Sequence, residues 1–267
     1  NRGGVEGVKH RVLLLLLSGC LLSLPAVILL LAVFPPSITC NRPIRLRVME
    51  ELREEWDAAT SFAPGAVSER WWSTISQQYT AEGRVYHGPN YLSQLFSLYH
   101  EHQDKLTNAQ AVALAIFFHK LEYNPRCCDS DLKNVEKFDE FISEAGEGQQ
   151  DSAVARAVRA LLEASVNNLT DAHMTEGGVG TDDLHYFLDF TTGVLSCPSQ
   201  EYQQYTTKIQ AEYVHLPTAS YNQLRLKMLK NLVLMPNIYA TPEFQKEREK
   251  NCSRELAVGD RQPTRLN

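Results

Sequence analysis

The sequence has no Cys-x-x-Cys pair, no excess of basic residues, no run that alternates with period two and no phosphate-cradling loop, and each absence removes a class of function. The six cysteines, at 20, 40, 127, 128, 197 and 252, offer neither a zinc knuckle nor a redox loop. Cys127 and Cys128 are adjacent and poorly placed to bridge each other, and the spacings suit no small secreted disulfide framework, so reduced thiols are expected. A formal net charge of −6, with cations scattered among acids, excludes a nucleic-acid surface, because phosphate binding needs clustered Lys and Arg. The Gly177-Gly178-Val179-Gly180 turn lacks the lysine and hydroxyl of a phosphate loop. Ser68, Ser73 and Ser76 stand outside any G-x-S-x-G setting, and Cys127 has no evident activating partner.

What is present begins with an uncharged run, VLLLLLSGCLLSLPAVILLLAVF, from Val12 to Phe34. At about 1.5 Å per residue it matches the roughly 30 Å hydrocarbon layer of a bilayer. It reads as one transmembrane helix bent at Pro25 and stopped by Pro35-Pro36. The competing reading is a cleaved signal, since Lys9 and Arg11 precede the run and Leu17-Ser18-Gly19-Cys20 resembles a lipoprotein cleavage box; apolar residues continuing past Cys20 favour the retained anchor. A single-pass membrane protein is expected.

Beyond the anchor the spacing is helical almost throughout. Leu46, Met49, Leu52 and Trp56 mark an amphipathic helix over 45–59, ended by Pro64-Gly65. Leu92, Leu95, Phe96 and Tyr99 form a second stripe, and Thr107 or Asn108 caps AQAVALAIFFHKL. Val154, Ala157, Val158, Leu161 and Leu162 form a third, followed by helices over 182–195, 201–213, 221–234 and 242–256. Of the pair Trp71-Trp72, one ring is expected in the core and one half-exposed. The expected organisation is an anchor at 1–40, a juxtamembrane helix and linker at 41–65, an all-α domain at 66–258 and a tail at 259–267.

Several phrases line up with one family: RVYHGPNYLSQLF from Arg84, AVALAIFFHKLEYNP from Ala111, DLHYFLDFTTGVLS from Asp183, EYQQYTTKIQAEYVHLP from Glu201, then IYATPEF and NCSREL. Over about Trp71 to Leu256 the chain resembles the metal-dependent phosphohydrolases of the HD superfamily, with their Y-H-N, F-H-D, D-N-E and L-D-x-D-L motifs. The resemblance implies an HD-like helical bundle in which histidines and carboxylates hold a metal that activates water. His87 matches the first histidine and His119 the histidine of the dyad. Lys120 stands where the dyad aspartate should be. Asn134 keeps the asparagine of D-N-E while Val135 replaces its glutamate, Asn167 and Asn168 stand where the family has histidine, and Asp189 keeps the first aspartate of its motif while Thr191 replaces the second.

The expectation is therefore a vestigial site, made of His87, His119, Lys120, Val135, Asn168, Asp189 and Thr191, with no catalytic residue, no metal and no cofactor. The Lys120 ammonium would occupy the volume of the lost ion, turned inward toward His87, His119, Asp189, Glu122 or backbone carbonyls. A rearranged metal site of His87, His119 and Glu122, the last two at i, i+3 on one helix, is the alternative, with His173 and His185 as further candidates. Two functions are open on these residues. One is a non-catalytic accessory or structural subunit of a larger membrane complex, with lipid and other subunits as partners, no nucleic acid and no small-molecule substrate, and the mitochondrial inner membrane as preferred setting. The other is a membrane-tethered phosphohydrolase acting on a nucleotide or phosphate ester.

Overall fold

The most apolar stretch of the domain, AQAVALAIFF, becomes its axis. In the computed structural model, which describes residues 44–127 and 130–249, these residues form α5 (Ala109–Phe118), and every residue from Ala111 to Phe118 is buried. A helix that is apolar all round has to be enclosed on all sides. Four helices surround it: α4 (Pro89–His102), α6 (Ser130–Ala145), α7 (Ala153–Ala164) and α9 (Asp183–Thr192), with α2 (Arg53–Ala59) closing the remaining side. Asn108, one of the two expected caps, starts α5 by accepting a hydrogen bond from Ala111 N at 3.1 Å, and Ser152 does the same for α7 through Ala155 N.

The remaining elements are α1 (Ile44–Glu51), α3 (Gly65–Thr80), the one-turn α8 (Asp171–Met174), α10 (Ser199–Glu212), α11 (Thr218–Val233) and α12 over 242–249. Among the described residues there is no strand, so the chain is all-α. The described residues belong to the compact unit Arg42–Asn267. The apolar run at 12–34, the phrase NCSREL and the tail at 259–267 lie outside the described residues, and among those described no helix is long and apolar enough to cross a membrane.

The stretch expected to be a juxtamembrane helix and linker is built into the core. It breaks at Leu52 into α1 and α2, and Met49, Leu52 and Trp56 are all buried. The Trp56 ring is fully enclosed among Trp72, Phe117, Phe118 and Phe141, and its indole N–H donates to Ser68 O at 3.1 Å. Removing such a ring costs about 3–5 kcal/mol. Trp71 and Trp72 are both buried, at 6% and 9% exposure, so the expected half-exposed partner is absent. Successive positions on α3 lie about 100° apart, and the α5 and α6 aromatic rings are broad enough to cover both: Trp71 packs on Phe118 and Phe141, Trp72 on Phe117.

Candidate functional site

α5 ends at Phe118, and the chain turns there instead of continuing as helix. The helical run expected to reach Leu121 stops early because side chains from elsewhere take its last carbonyls, groups that have no partner within the helix itself. Tyr79 Oη donates to Phe117 O at 3.1 Å. Asn134 Nδ2 donates to His119 O at 2.9 Å and Glu122 O at 3.3 Å, while its Oδ1 accepts from Glu122 N at 2.7 Å. Arg84 donates to Lys120 O at 2.6 Å and to Leu121 O. A cation at this end also complements the negative pole of the helix. Asn134, read from the resemblance as a motif remnant, is a capping residue with its amide spent on backbone.

Arg84 is the buried cation of this region. It is 4% exposed, and its guanidinium lies between the rings of Tyr79 and Tyr123 at 5.0 and 5.6 Å from their centroids. Burial lowers its pKa, against the opposing pull of Tyr79 and Glu212. The loop that carries it, 81–88, is held from outside by Arg45, which donates to Arg84 O and to Tyr79 O. Gly88 permits that approach: a Cβ there would lie 2.7 Å from the Arg45 guanidinium.

The same loop presents His87 to a carboxylate. Glu212, the last residue of α10, has a fully buried side chain. Its Oε1 accepts from the backbone N–H groups of Tyr86 at 2.7 Å and His87 at 2.8 Å. Its Oε2 lies 2.7 Å from His87 Nδ1 and accepts from Tyr123 Oη at 2.7 Å. Burial pushes the Glu212 carboxyl up, but the hydrogen bonds from His87 and Tyr123 together outweigh it and leave the pKa below its ordinary value. Burial, helped by the nearby Lys120 and Arg84 charges, holds His87 below its ordinary value against the pull of Glu212. The pair is an ionised carboxylate against a neutral imidazole whose Nδ1 carries the proton.

The other residues of the expected site are divided among separate tasks. His119 is 3% exposed, with Nδ1 3.3 Å from Ser165 Oγ, and burial with the nearby Lys120 charge holds it neutral, well below the usual histidine range. Lys120 pairs with Asp131 at 2.6 Å, its side chain 18% exposed. It is largely covered as expected, but its partner is an acid on α6 outside the expected set. Asp189 is fully buried on the other side of α9, where it accepts from Ala240 N and Thr241 N at 2.8 Å and Thr241 Oγ1 at 2.7 Å. Burial raises its pKa to about 6 against those hydrogen bonds. Val135 packs on the core. Thr191 is half-buried and donates to Leu188 O. Asn168 takes a left-handed φ of 53°, which asparagine tolerates.

This arrangement does not fit a hydrolytic metal. A divalent ion needs converging carboxylates and neutral imidazoles. Here Asp189 is turned to α12, Lys120 carries an ammonium where the resemblance would put a carboxylate, and among the described residues no three His, Cys, Asp or Glu side chains converge. The His119–Glu122 helical pair is also lost, since α5 has ended before both. His173 and His185 serve as the third residues of α8 and α9, each accepting from a backbone N–H, Thr170 and Asp182 respectively.

Glu212, Arg84 and Tyr123 are the residues that sequence reading passed over. Glu212 carried one usable signal: it continues the stripe Tyr202, Tyr205, Ile209, which packs on the core, and an acid placed where an apolar residue is due needs a buried partner. Comparisons with protein-family models, with curated proteins and with solved structures find no match to this chain.

Proposed function

We propose that this chain is a non-catalytic HD-like protein, tethered at a membrane, that serves as a structural subunit of a larger membrane complex. The observation that carries this reading is the commitment of its polar groups: the positions where the resemblance would seat a metal are spent on capping α5, closing the 81–88 loop and latching α12. His119 and Lys120 are spent on Ser165 and Asp131, and side chains committed in this way to the fold are architecture.

The partner side of the proposal is supported by α11. Only Tyr221 and Leu229 of its sixteen residues are buried, and Leu224, Met228 and Val233 are 49%, 40% and 59% exposed. Leu224 and Met228, one turn apart on one face, form an exposed apolar pair of the kind a protein contact would cover. The test is purification of the full chain from membranes under native conditions, with elemental analysis and mass spectrometry of what co-purifies. Stoichiometric companion subunits and no bound metal are expected. About one manganese, iron, zinc or magnesium per chain, lost in His119→Ala, would favour the tethered phosphohydrolase instead.

A further inference from the structure

A cavity of about 430 Å³ opens between α4, α10, α12 and the turn after α9. That is a volume typical of small-molecule sites. It borders the 81–88 loop through Tyr86, and at Gly193 a Cβ would come within 2.9 Å of Leu98 Cδ1. Leu95, Leu98 and Phe190 give it apolar walls.

Three polar groups in it lack a use. Tyr86 and Tyr91 line the cavity and are 9% and 3% exposed, yet neither hydroxyl has a hydrogen-bond partner among the described residues. With no such partner, both hydroxyls open onto the cavity and are free to donate to an acceptor that fills it. Burial holds both phenols well above their ordinary pKa, which keeps them donors. The third group is Lys208 on α10, half-buried at the wall and with no ion-pair partner among the described residues. The other charges at the rim do not neutralise it. Glu201 is exposed about two turns away, some 10 Å along the helix, and Arg248 brings a second cation, itself paired with Glu101 at 3.5 Å.

We propose that this cavity binds a small amphipathic anion, its apolar body against Leu95, Leu98 and Phe190 and its carboxylate or phosphate head at Lys208 and the Tyr86 and Tyr91 hydroxyls. An anionic acceptor suits the donor character of both phenols and the charge of the ammonium, whereas a neutral ligand answers only the phenols. Such a ligand is independent of the lost hydrolytic chemistry and is an addition to the scaffold.

The test is calorimetry on the full chain in nanodiscs of zwitterionic lipid. The probes are 4-phenylbutyrate, phenyl phosphate and the uncharged 4-phenylbutanamide. One-site binding of at least one anion, at least tenfold tighter than the amide, is expected, and the tighter anion identifies the head group. Lys208→Gln should bring the anion down to the level of the amide, Tyr91→Phe should weaken it several-fold, and Ser97→Phe at the mouth should abolish binding of all three. Circular dichroism and thermal melting confirm that each variant is folded. No saturable binding of either anion, an amide that binds as tightly, or anion binding unchanged in both Lys208→Gln and Tyr91→Phe would overturn the proposal.

Discussion

Glu212 holds His87 by both its backbone and its ring: one carboxylate oxygen accepts from His87 N at 2.8 Å and the other meets Nδ1 at 2.7 Å. Two hydrogen bonds to one residue fix the loop in position and the imidazole in rotation. Glu212→Gln keeps the volume but turns an NH₂ toward donors, leaving at least one buried N–H or O–H unpaired. A loss of about 2–4 kcal/mol is expected, read as a lower urea midpoint with an unchanged slope. Tyr123→Phe removes one of the four bonds and should cost about 1 kcal/mol.

Asp189 gives a second test of the same kind at the other end of the fold. Asp189→Asn places an NH₂ against either Ala240 N or Thr241 N, whichever oxygen it replaces, and should destabilise by about 2–3 kcal/mol. Thr241→Val, which removes one of three bonds, should cost about 1 kcal/mol. A variant at Asp189 that lost no stability would mean that α12 is latched by other contacts.

Lys120 and Asp131 are partly solvated, at 18% and 33% side-chain exposure. Their coupling, measured by a double-mutant cycle with Lys120→Ala and Asp131→Ala, should be about 0.5–1 kcal/mol, the range of partly screened ion pairs. A coupling of several kcal/mol would restore the idea that the ammonium stands in for an ion.

Acid should unfold the domain ahead of its carboxylates. His87, His119 and His173 all have pKa values below the ordinary 6.5, with His173 at about 4, in each case chiefly through burial. Each therefore takes up a proton on unfolding, so stability is full above about 6.5 and is lost as pH falls toward the folded pKa. The slope is up to about 1.4 kcal/mol per pH unit for each histidine within its window. Asp189, raised to about 6, acts in the opposite sense, favouring the fold at low pH and losing that contribution as pH rises through about 6. Glu249, raised by burial, acts with Asp189, while Glu212, held low by His87 and Tyr123, loses its contribution as pH falls and acts with the three histidines. Urea titrations at pH 7 and pH 5 should give a clearly lower unfolding free energy at pH 5, and His173→Asn should flatten the difference.

The helical class and most of the element positions were legible because they depend on local spacing. The α5 run, its Asn108 cap and the stripes of α4 and α7 are all written within a few residues of themselves. The end of α5 was not legible. Nothing within the run announces that Arg84 and Asn134 will claim its carbonyls, and Pro125 lies too far along to fix the stop at Phe118. The resemblance led toward His119 and Lys120 as a pair facing one ion, while the structure gives each a different neighbour, Ser165 and Asp131. Side-chain identity records what a residue can bond, and only the packed chain decides which bond is made.

The reach of Glu212 has a consequence for how the chain is born. A ribosome that has just added His87 must add another 125 residues before the carboxylate for it exists. Until then the amides of Tyr86 and His87 have only water to bond, and the loop is tied only at its Arg84 end, by Arg45 and by the Lys120 and Leu121 carbonyls, its His87 end remaining open. A nascent chain paused before the end of α10 would carry a formed α5 beside an open loop, and a natural or engineered truncation there would remain a substrate for chaperones and proteases whatever the quality of its core.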